Sequence, residues 1–463
     1  MSIFRNLRPC FLGFCLIISI STLQSLYVGQ WANPQGIPAC GWVTGAVRTV
    51  VFLGMAALSS RVTNLSSHRV PLWVACAFCT AGAVMTMGSA TIDPSFPWLP
   101  ATYVTGLAIG AAGYALFYLY WIELYARMDL MHVIVYFALV HLLSATISLV
   151  ISSLASQVVM FACIVLMPIV SQVLYMKSLR ESSGLSFMQG ETPSSGWSIP
   201  WRPIVLLGTY TFANSFVRHF LGNSLKGLVL VGVILAASVA IALLASRRER
   251  LGLRTLYSAS LPLIVAASLC VLVALPGFGT LGGALSNAAY TLFSIYATVL
   301  LCNVAYRDGV SPLWLFGFAC ASISTGTLAS SLLTNKVDFI SSEPAVLTLA
   351  ISAVIMVFVC LYVAFDSSKE TAKAWGITRE GSDCDNSKAV PLEERCASLA
   401  RLYGLTRREE EVMALLAHDA SYSQVEAELS IANSTLKTHV RHIYSKLGVA
   451  DKRELVELVG SRR

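Results

Sequence analysis

Leu405-Thr406-Arg407-Arg408-Glu409 opens a stretch that closes with Lys446-Leu447-Gly448-Val449, and the caps and spacings between them set how this end of the 463-residue chain folds. Thr406 and Glu409 form a capping box, in which the hydroxyl accepts from a free backbone N–H while the glutamate reaches back to the cap. The box opens a helix whose apolar stripe is Val412, Leu415 and Leu416. Ser421 and Gln424 repeat the device ahead of Val425 and Leu429. Over about Asn433–Leu447, apolar residues recur at Leu436, Val440, Ile443 and Leu447, which share one face of a helix. Gly448 ends it, because glycine tolerates the left-handed conformation that follows a last turn. Asp451-Lys452-Arg453-Glu454 caps a fourth helix carrying Leu455, Leu458 and Val459.

The second and third of these helices, with the turn Ser430–Ala432, make a helix-turn-helix whose third helix would read a major groove. The open face of that helix carries Ser434, Lys437, Thr438, Arg441 and Lys446. Charge is polarised along the stretch. From Asn433 onward Lys437, Arg441, Lys446, Lys452, Arg453, Arg462 and Arg463 stand against Asp451, Glu454 and Glu457, whereas acids dominate from Glu393 to Ala432. One end is built to meet phosphate and the other to repel it.

The block Leu405-Thr406-x-Arg408-Glu409-x-Glu411-Val412, Ala427-x-Leu429-x-Ile431, Ser434-Thr435-Leu436-Lys437-x-His439-Val440 and Ile443-x-x-Lys446-Leu447-Gly448-Val449 closely resembles the LuxR-type (GerE-type) helix-turn-helix, over about 398–463 only. Four positions depart from it. Arg407 replaces the usual proline, Asp419 the usual glycine, Glu426 the usual alanine and Ala432 the usual serine cap. Losing that cap costs about 1 kcal/mol. The resemblance implies that Lys437 reaches base edges while Thr435, His439 and Lys446 hold phosphates. Ser434, Thr438 and Arg441 are further candidates from the geometry of the same face. It also implies double-stranded DNA as partner and a homodimer on two-fold sites.

Upstream the chain changes character. Hydrophobic residues make up 56% of the sequence and charged residues 12%, about half the charge of a soluble protein. Apolar runs between Cys10 and Phe365 give about twelve membrane spans, each long enough to cross ~30 Å of hydrocarbon. Their cores lie near 10–28, 38–58, 70–88, 99–120, 132–152, 155–176, 203–221, 227–245, 256–275, 281–301, 313–333 and 344–365. The first is expected to be a retained span, since Arg5 and Arg8 precede it and no small-residue cleavage site follows. The fold class expected is therefore all-α, a polytopic helix bundle at 1–365, a polar linker at 366–392 and the helix-turn-helix domain at 393–463. As a flexible coil the linker would span roughly 30 Å. The twelve cysteines form no disulfide framework, and Cys76 and Cys79 read as small packing residues.

Loop charge orients the bundle. With the N-terminus cytoplasmic, inside segments hold Arg5, Arg8, Arg61, Arg69, Arg127, Lys177, Arg180, Arg202, Arg247, Arg248, Arg250, Arg254 and Arg307, and outside segments only Arg218, Lys226 and Lys336. The net charge of +7 thus reflects topology more than nucleic acid. Both termini are expected in the cytoplasm, with the body in the inner membrane. The polar segment Lys177–Pro200 divides the spans six and six. That layout, with Glu249-Arg250-Leu251-Gly252-Leu253-Arg254 after the eighth span, resembles the major facilitator superfamily. The matching first-half loop, Ser60-Arg61-Val62-Thr63-Asn64 to His68-Arg69, keeps basic residues but lacks the acid and the glycine.

Ionisable groups in hydrocarbon are costly and therefore informative. Arg48 falls near the centre of the second span and His141 near the centre of the fifth. Arg48 is a candidate to pair with an anionic group on a small ligand, or else to bond neighbouring carbonyls. His141 is a weaker ligand candidate beside its reading as a satisfied buried histidine. Glu123 and Arg127 are expected to pair at a cytoplasmic helix end. No Asp or Glu lies mid-span, which weakens a proton-coupled carrier. No phosphate-binding loop, metal cluster or nucleophile–base set is found, so neither an enzyme nor a cofactor is expected. The expectation is a membrane-bound, one-component transcriptional regulator that senses a small molecule. A transporter with an appended regulatory domain, and a passive tether signalled by a partner membrane protein, stay open.

Overall fold

The structure, a computed structural model, describes residues 8–31, 41–62, 64–92, 96–128, 130–181, 200–219, 230–245, 260, 262–267, 269–270, 278–308, 310–340, 392–418, 420–449 and 451–460. The loop Glu249–Arg254, most of the ninth span, the span at 344–365, Asp419 and the linker to 391 lie outside the described residues.

No strand occurs among the described residues. After a 3-10 turn at Pro9–Gly13, the membrane part comprises α1 (Phe14–Trp31), α2 (Trp42–Leu58), α3 (Arg69–Thr91), α4 (Leu99–Tyr125), α5 (Leu130–Leu154), α6 (Gln157–Glu181), α7 (Trp201–His219), α8 (Leu230–Ala245), α9 (Phe278–Asp308) and α10 (Pro312–Ile340). Seven helical segments among the described residues are long and apolar enough to cross a bilayer, and Trp42–Leu58 and Leu230–Ile241 are shorter apolar helices. Against the spans read from sequence, α1 to α8 fall at the first eight, and α9 and α10 at the tenth and eleventh.

The packing has a hidden symmetry. The helix at the second span packs on that at the eleventh (α2 on α10), and the fifth on the eighth (α5 on α8). Moving every position on by six turns the first contact into the second. The same shift turns α1 on α5 into α7 on α10, and α2 on α4 into α8 on α9. Two six-span halves related by a pseudo-two-fold axis satisfy all these pairings at once, as in carriers built from parallel repeats.

Helices in lipid gain nothing from hiding apolar surface from one another, so they associate through close backbone approach at small residues. The α3–α4 pair shows this. Gly106, Gly110 and Gly113 of α4 lie against Thr86, Gly82 and Cys79 of α3, and a Cβ on Gly82 would overlap the Gly110 backbone. Cys76 and Cys79 are free, buried thiols on α3, and Cys79 belongs to this packed face. Gly208 of α7 and Gly326 of α10 make an equally close crossing in the other half.

The end of α4 also holds the loop before α3. The Glu123 carboxylate accepts from the Leu65 backbone N–H at 3.0 Å and the Ser66 hydroxyl at 3.3 Å, and it pairs with Arg127. The Tyr120 hydroxyl donates to the His68 carbonyl at 2.6 Å. The acid missing from that loop is thus supplied by the neighbouring helix.

The C-terminal residues have a separate core of Leu405, Val412, Leu416, Val425, Leu436, Val440, Ile443, Leu447 and Leu455, among others. Its helices are α11 (Leu392–Leu402), α12 (Arg407–Ala417), α13 (Tyr422–Leu429), α14 (Asn433–Leu447) and α15 (Lys452–Gly460). The sequence reading has four helices here, and α11 is an addition. It buries Cys396 and Ala400 and packs on α12 and α15. No Ser, Thr, Asp or Asn stands immediately before Leu392 to announce its start.

Gly82→Leu should force α3 and α4 apart, since a side chain there would overlap the Gly110 backbone and overpacking a close helix crossing costs ~1–3 kcal/mol or more. A lowered melting temperature of the detergent-purified protein is expected, with Gly54→Leu, which meets no neighbouring atom within 4 Å, as the near-neutral control.

Candidate nucleic-acid interface and membrane cavity

Both capping boxes form. The Glu409 N–H donates to Thr406 Oγ1 at 3.2 Å while the Thr406 N–H donates to Glu409 Oε2 at 2.8 Å. Ser421 and Gln424 exchange the equivalent pair at 3.4 and 2.8 Å. Ser430, at φ 51°, turns the chain after α13. Ala432 then precedes α14 with no side-chain cap, as its identity requires. Glu426 accepts from the Asn433 side-chain amide, so the residue that departs from the usual alanine links α13 to the first turn of α14. Arg408 reaches from α12 to the Leu429 carbonyl at 2.6 Å and pins the far end of α13.

On α14, Leu436, Val440, Ile443 and Leu447 are buried. Ser434, Thr435, Lys437, Thr438 and Arg441 are exposed, while His439 and Lys446 are half-buried. Ser434, Lys437, Thr438 and Arg441 follow helical spacing along one open stripe. The Thr438 hydroxyl donates to the Ser434 carbonyl at 3.0 Å, which fixes its methyl and oxygen in place on that stripe.

Lys446 stands apart from the stripe. Its ammonium donates to Glu409 Oε2 at 2.6 Å and to the Gly404 carbonyl at 3.3 Å. His442 Nδ1 lies 3.7 Å from the other oxygen of the same carboxylate. Glu409, only 3% exposed, therefore caps α12 and anchors the last turn of α14 together. The capping box is legible in the sequence, but this second role is not. Residues 37 apart show no local pattern that announces their meeting. For Cys396, in the same domain, burial, then Glu410 and Glu393, push the thiol up to about 11.

In the membrane part, Arg48 projects from α2 into a small cleft lined by Gln24, Thr44, Thr86 and Tyr114 among others. Its volume is about 20 Å³, room for about one water. Arg48 Nη2 donates to Ser21 Oγ at 3.2 Å, and the guanidinium carbon stands 4.0 Å from the Tyr114 ring centre. Its Nε has no hydrogen-bond partner among the described residues, and no carboxylate pairs with it there. His141 lies elsewhere on α5, edge-on to Phe137 at 4.9 Å, with Nε2 unpartnered among the described residues. The two mid-span candidates do not line one cleft.

Comparison with known proteins fits both parts. The family described as "Bacterial regulatory proteins, luxR family" matches residues 404–459. These residues form a LuxR-type helix-turn-helix domain. The HTH-type transcriptional regulator MalT of Serratia proteamaculans (strain 568) is 44% identical over 59 residues, 13% of this chain and 6% of that protein. MalT of Vibrio cholerae serotype O1 (strain ATCC 39315 / El Tor Inaba N16961) is 41% identical over 98 residues, 19% of this chain and 11% of its own length. The chain thus spans about a tenth or less of the length of these relatives. Among solved structures, a bacterial homologue of the iron transporter ferroportin in an outward-facing state with soaked iron superposes at TM-score 0.54. It is 12% identical and covers 78% of this chain and 100% of its own. The nucleoside transporter NupG aligns at TM-score 0.44 with 16% identity over 77% of this chain and 100% of its own. The membrane part shares its fold with that ferroportin homologue, and the chain is a multi-pass membrane protein that ends in a LuxR-type DNA-binding domain.

Glu409→Gln should destabilise the C-terminal domain by about 2–3 kcal/mol, below the ~3–5 kcal/mol of a fully buried pair because Lys446 keeps some solvent. Urea unfolding of a fragment spanning 392–463 measures it, and unchanged stability would remove Glu409 from its anchoring role.

Proposed function

We propose that the protein is a membrane-bound, one-component transcriptional regulator. In this reading 1–365 is a sensor, 366–392 a cytoplasmic linker and 393–463 the DNA-binding domain. The observation that carries it is the solvent-open stripe of α14, set in a LuxR-type domain joined to a carrier-fold body. A groove-reading helix is useful only on the side of the membrane where the chromosome lies. The bias of basic residues to one side of the spans supports that side for both termini, in the inner membrane of a bacterial cell.

On the DNA, Lys437 contacts base edges, with Ser434, Thr435, Thr438, His439 and Arg441 on bases or backbone around it. Lys446, already bonded to Glu409, orients α14 and adds positive charge near phosphate. Two copies of the domain bind a two-fold site. In the membrane, a small ligand with an anionic group enters beside Arg48 and favours one arrangement of the two halves. Such a ligand acts only if its affinity differs between the two arrangements. No catalytic step or cofactor belongs to this scheme.

A second reading, a working transporter with an appended regulatory domain, draws on the carrier fold. Uptake of a labelled candidate into vesicles that survives deletion of 393–463 would favour it.

Lys437→Ala should abolish promoter binding and reporter control while the protein still inserts in the membrane. Normal reporter control by that variant would remove α14's stripe from DNA contact. Arg48→Met should leave the melting temperature unchanged or raised, because a cation kept for a ligand costs the empty protein stability. A marked drop in melting temperature would make Arg48 a structural residue instead.

A further inference from the structure

Among the described residues Arg48 has no counter-charge. It is half-buried on α2 and lines its cleft with Gln24 of α1, Thr86 of α3 and Tyr114 of α4. A guanidinium carries five N–H donors. Among the described residues its one hydrogen bond runs from Nη2 to the neutral Ser21 hydroxyl at 3.2 Å. The Tyr114 ring covers the cation at 4.0 Å, and a ring attracts a cation without neutralising it. Bonds to neighbouring carbonyls would make Arg48 a structural residue, and none is made among the described residues. An ion pair within the chain is not on offer at this depth either, because no Asp or Glu lies mid-span anywhere in the sequence. Cys79 and Tyr114, the other ionisable side chains of the cleft, are largely uncharged at neutral pH at their ordinary pKa values. A cation so placed in a membrane takes its counter-charge from outside the chain.

The size of the cleft narrows the choice of anion. Its volume of about 20 Å³ is close to the ~10–15 Å³ that one water occupies. A monatomic anion fits that space, whereas a carboxylate with its attached carbon, a sulfate or a phosphate needs several such places. The polar wall suits a negative ion. Gln24 brings an amide and Thr86 a hydroxyl beside the guanidinium, and both groups can donate. The Thr44 hydroxyl is engaged on the Gly41 carbonyl at 2.9 Å.

We propose, on the ligand reading of Arg48 given above, that the ligand is a halide ion, a single chloride or bromide held in this cleft against Arg48, Gln24 and Thr86. The bound ion neutralises the cation and ties α1 and α2 to α3.

The test uses the full-length protein purified in detergent. Thermal unfolding is followed in sodium chloride, bromide and acetate at matched ionic strength, with sodium gluconate as the blank. Chloride and bromide should raise the melting temperature of the wild type above the blank, by an amount that grows with concentration. Acetate should not. Arg48→Met should lose the halide shift while its melting temperature in gluconate holds or rises. Arg48→Lys, which keeps the charge without the planar fork, should retain the shift at about tenfold higher halide concentration. A shift with acetate alone overturns the halide assignment and hands Arg48 to a carboxylate ligand. No halide shift in the wild type, or an equal one in Arg48→Met, also overturns it. Reporter control then separates the two claims. If halides do nothing but Arg48→Met loses reporter control, the halide falls and the ligand reading stands. If halides do nothing and Arg48→Met keeps normal control, both fall.

Discussion

Hydrocarbon offers no hydrogen-bond partner to a peptide group, and the body of this protein follows from that constraint. Each spanning segment must close its own N–H and C=O groups, so the described spans are helices. Once all are helices, apolar burial no longer decides which one sits beside which. That choice passes to the few places where backbones can touch. Gly82 against Gly110 and Gly208 against Gly326 are such places, one in each half. Polar ends do the rest, with Glu123, Tyr120 and Arg127 holding the α2–α3 loop to the end of α4.

Outside the membrane the logic reverses. The C-terminal domain is small, its helices are short, and water competes for every polar group. It relies on caps and on one buried charge with several duties. Glu409 closes the first turn of α12, accepts from Lys446 at the far end of α14 and sits within reach of His442. This ties α14 to the frame without spending any residue on its open stripe. Glu426 and Asn433 secure the other end of α14, where the usual cap is missing. The departures from the family pattern are thus partly compensated by new local bonds.

The regulatory reading proposed above requires a body with two arrangements whose balance a ligand shifts. The Arg48 cleft is small as it stands, and among the described residues the cation has a single neutral hydrogen bond and a ring contact, which leaves capacity for a partner.

The sequence alone determined the membrane body, the six-and-six layout, the caps of α12 and α13 and the buried face of α14. These are local properties, set by hydropathy over one span or by spacing within a few turns. It also marked Glu123 with Arg127, because the pair lies one turn apart. It did not reveal α11, whose start lacks a capping residue. Nor did it reveal the six-shift symmetry of the contacts, the glycine crossings, or Glu409 with Lys446. Each of those joins residues far apart in the chain, and only the tertiary structure decided them. A helix's own pattern shows which face is apolar, but not which neighbour's backbone, charge or hydroxyl will meet it.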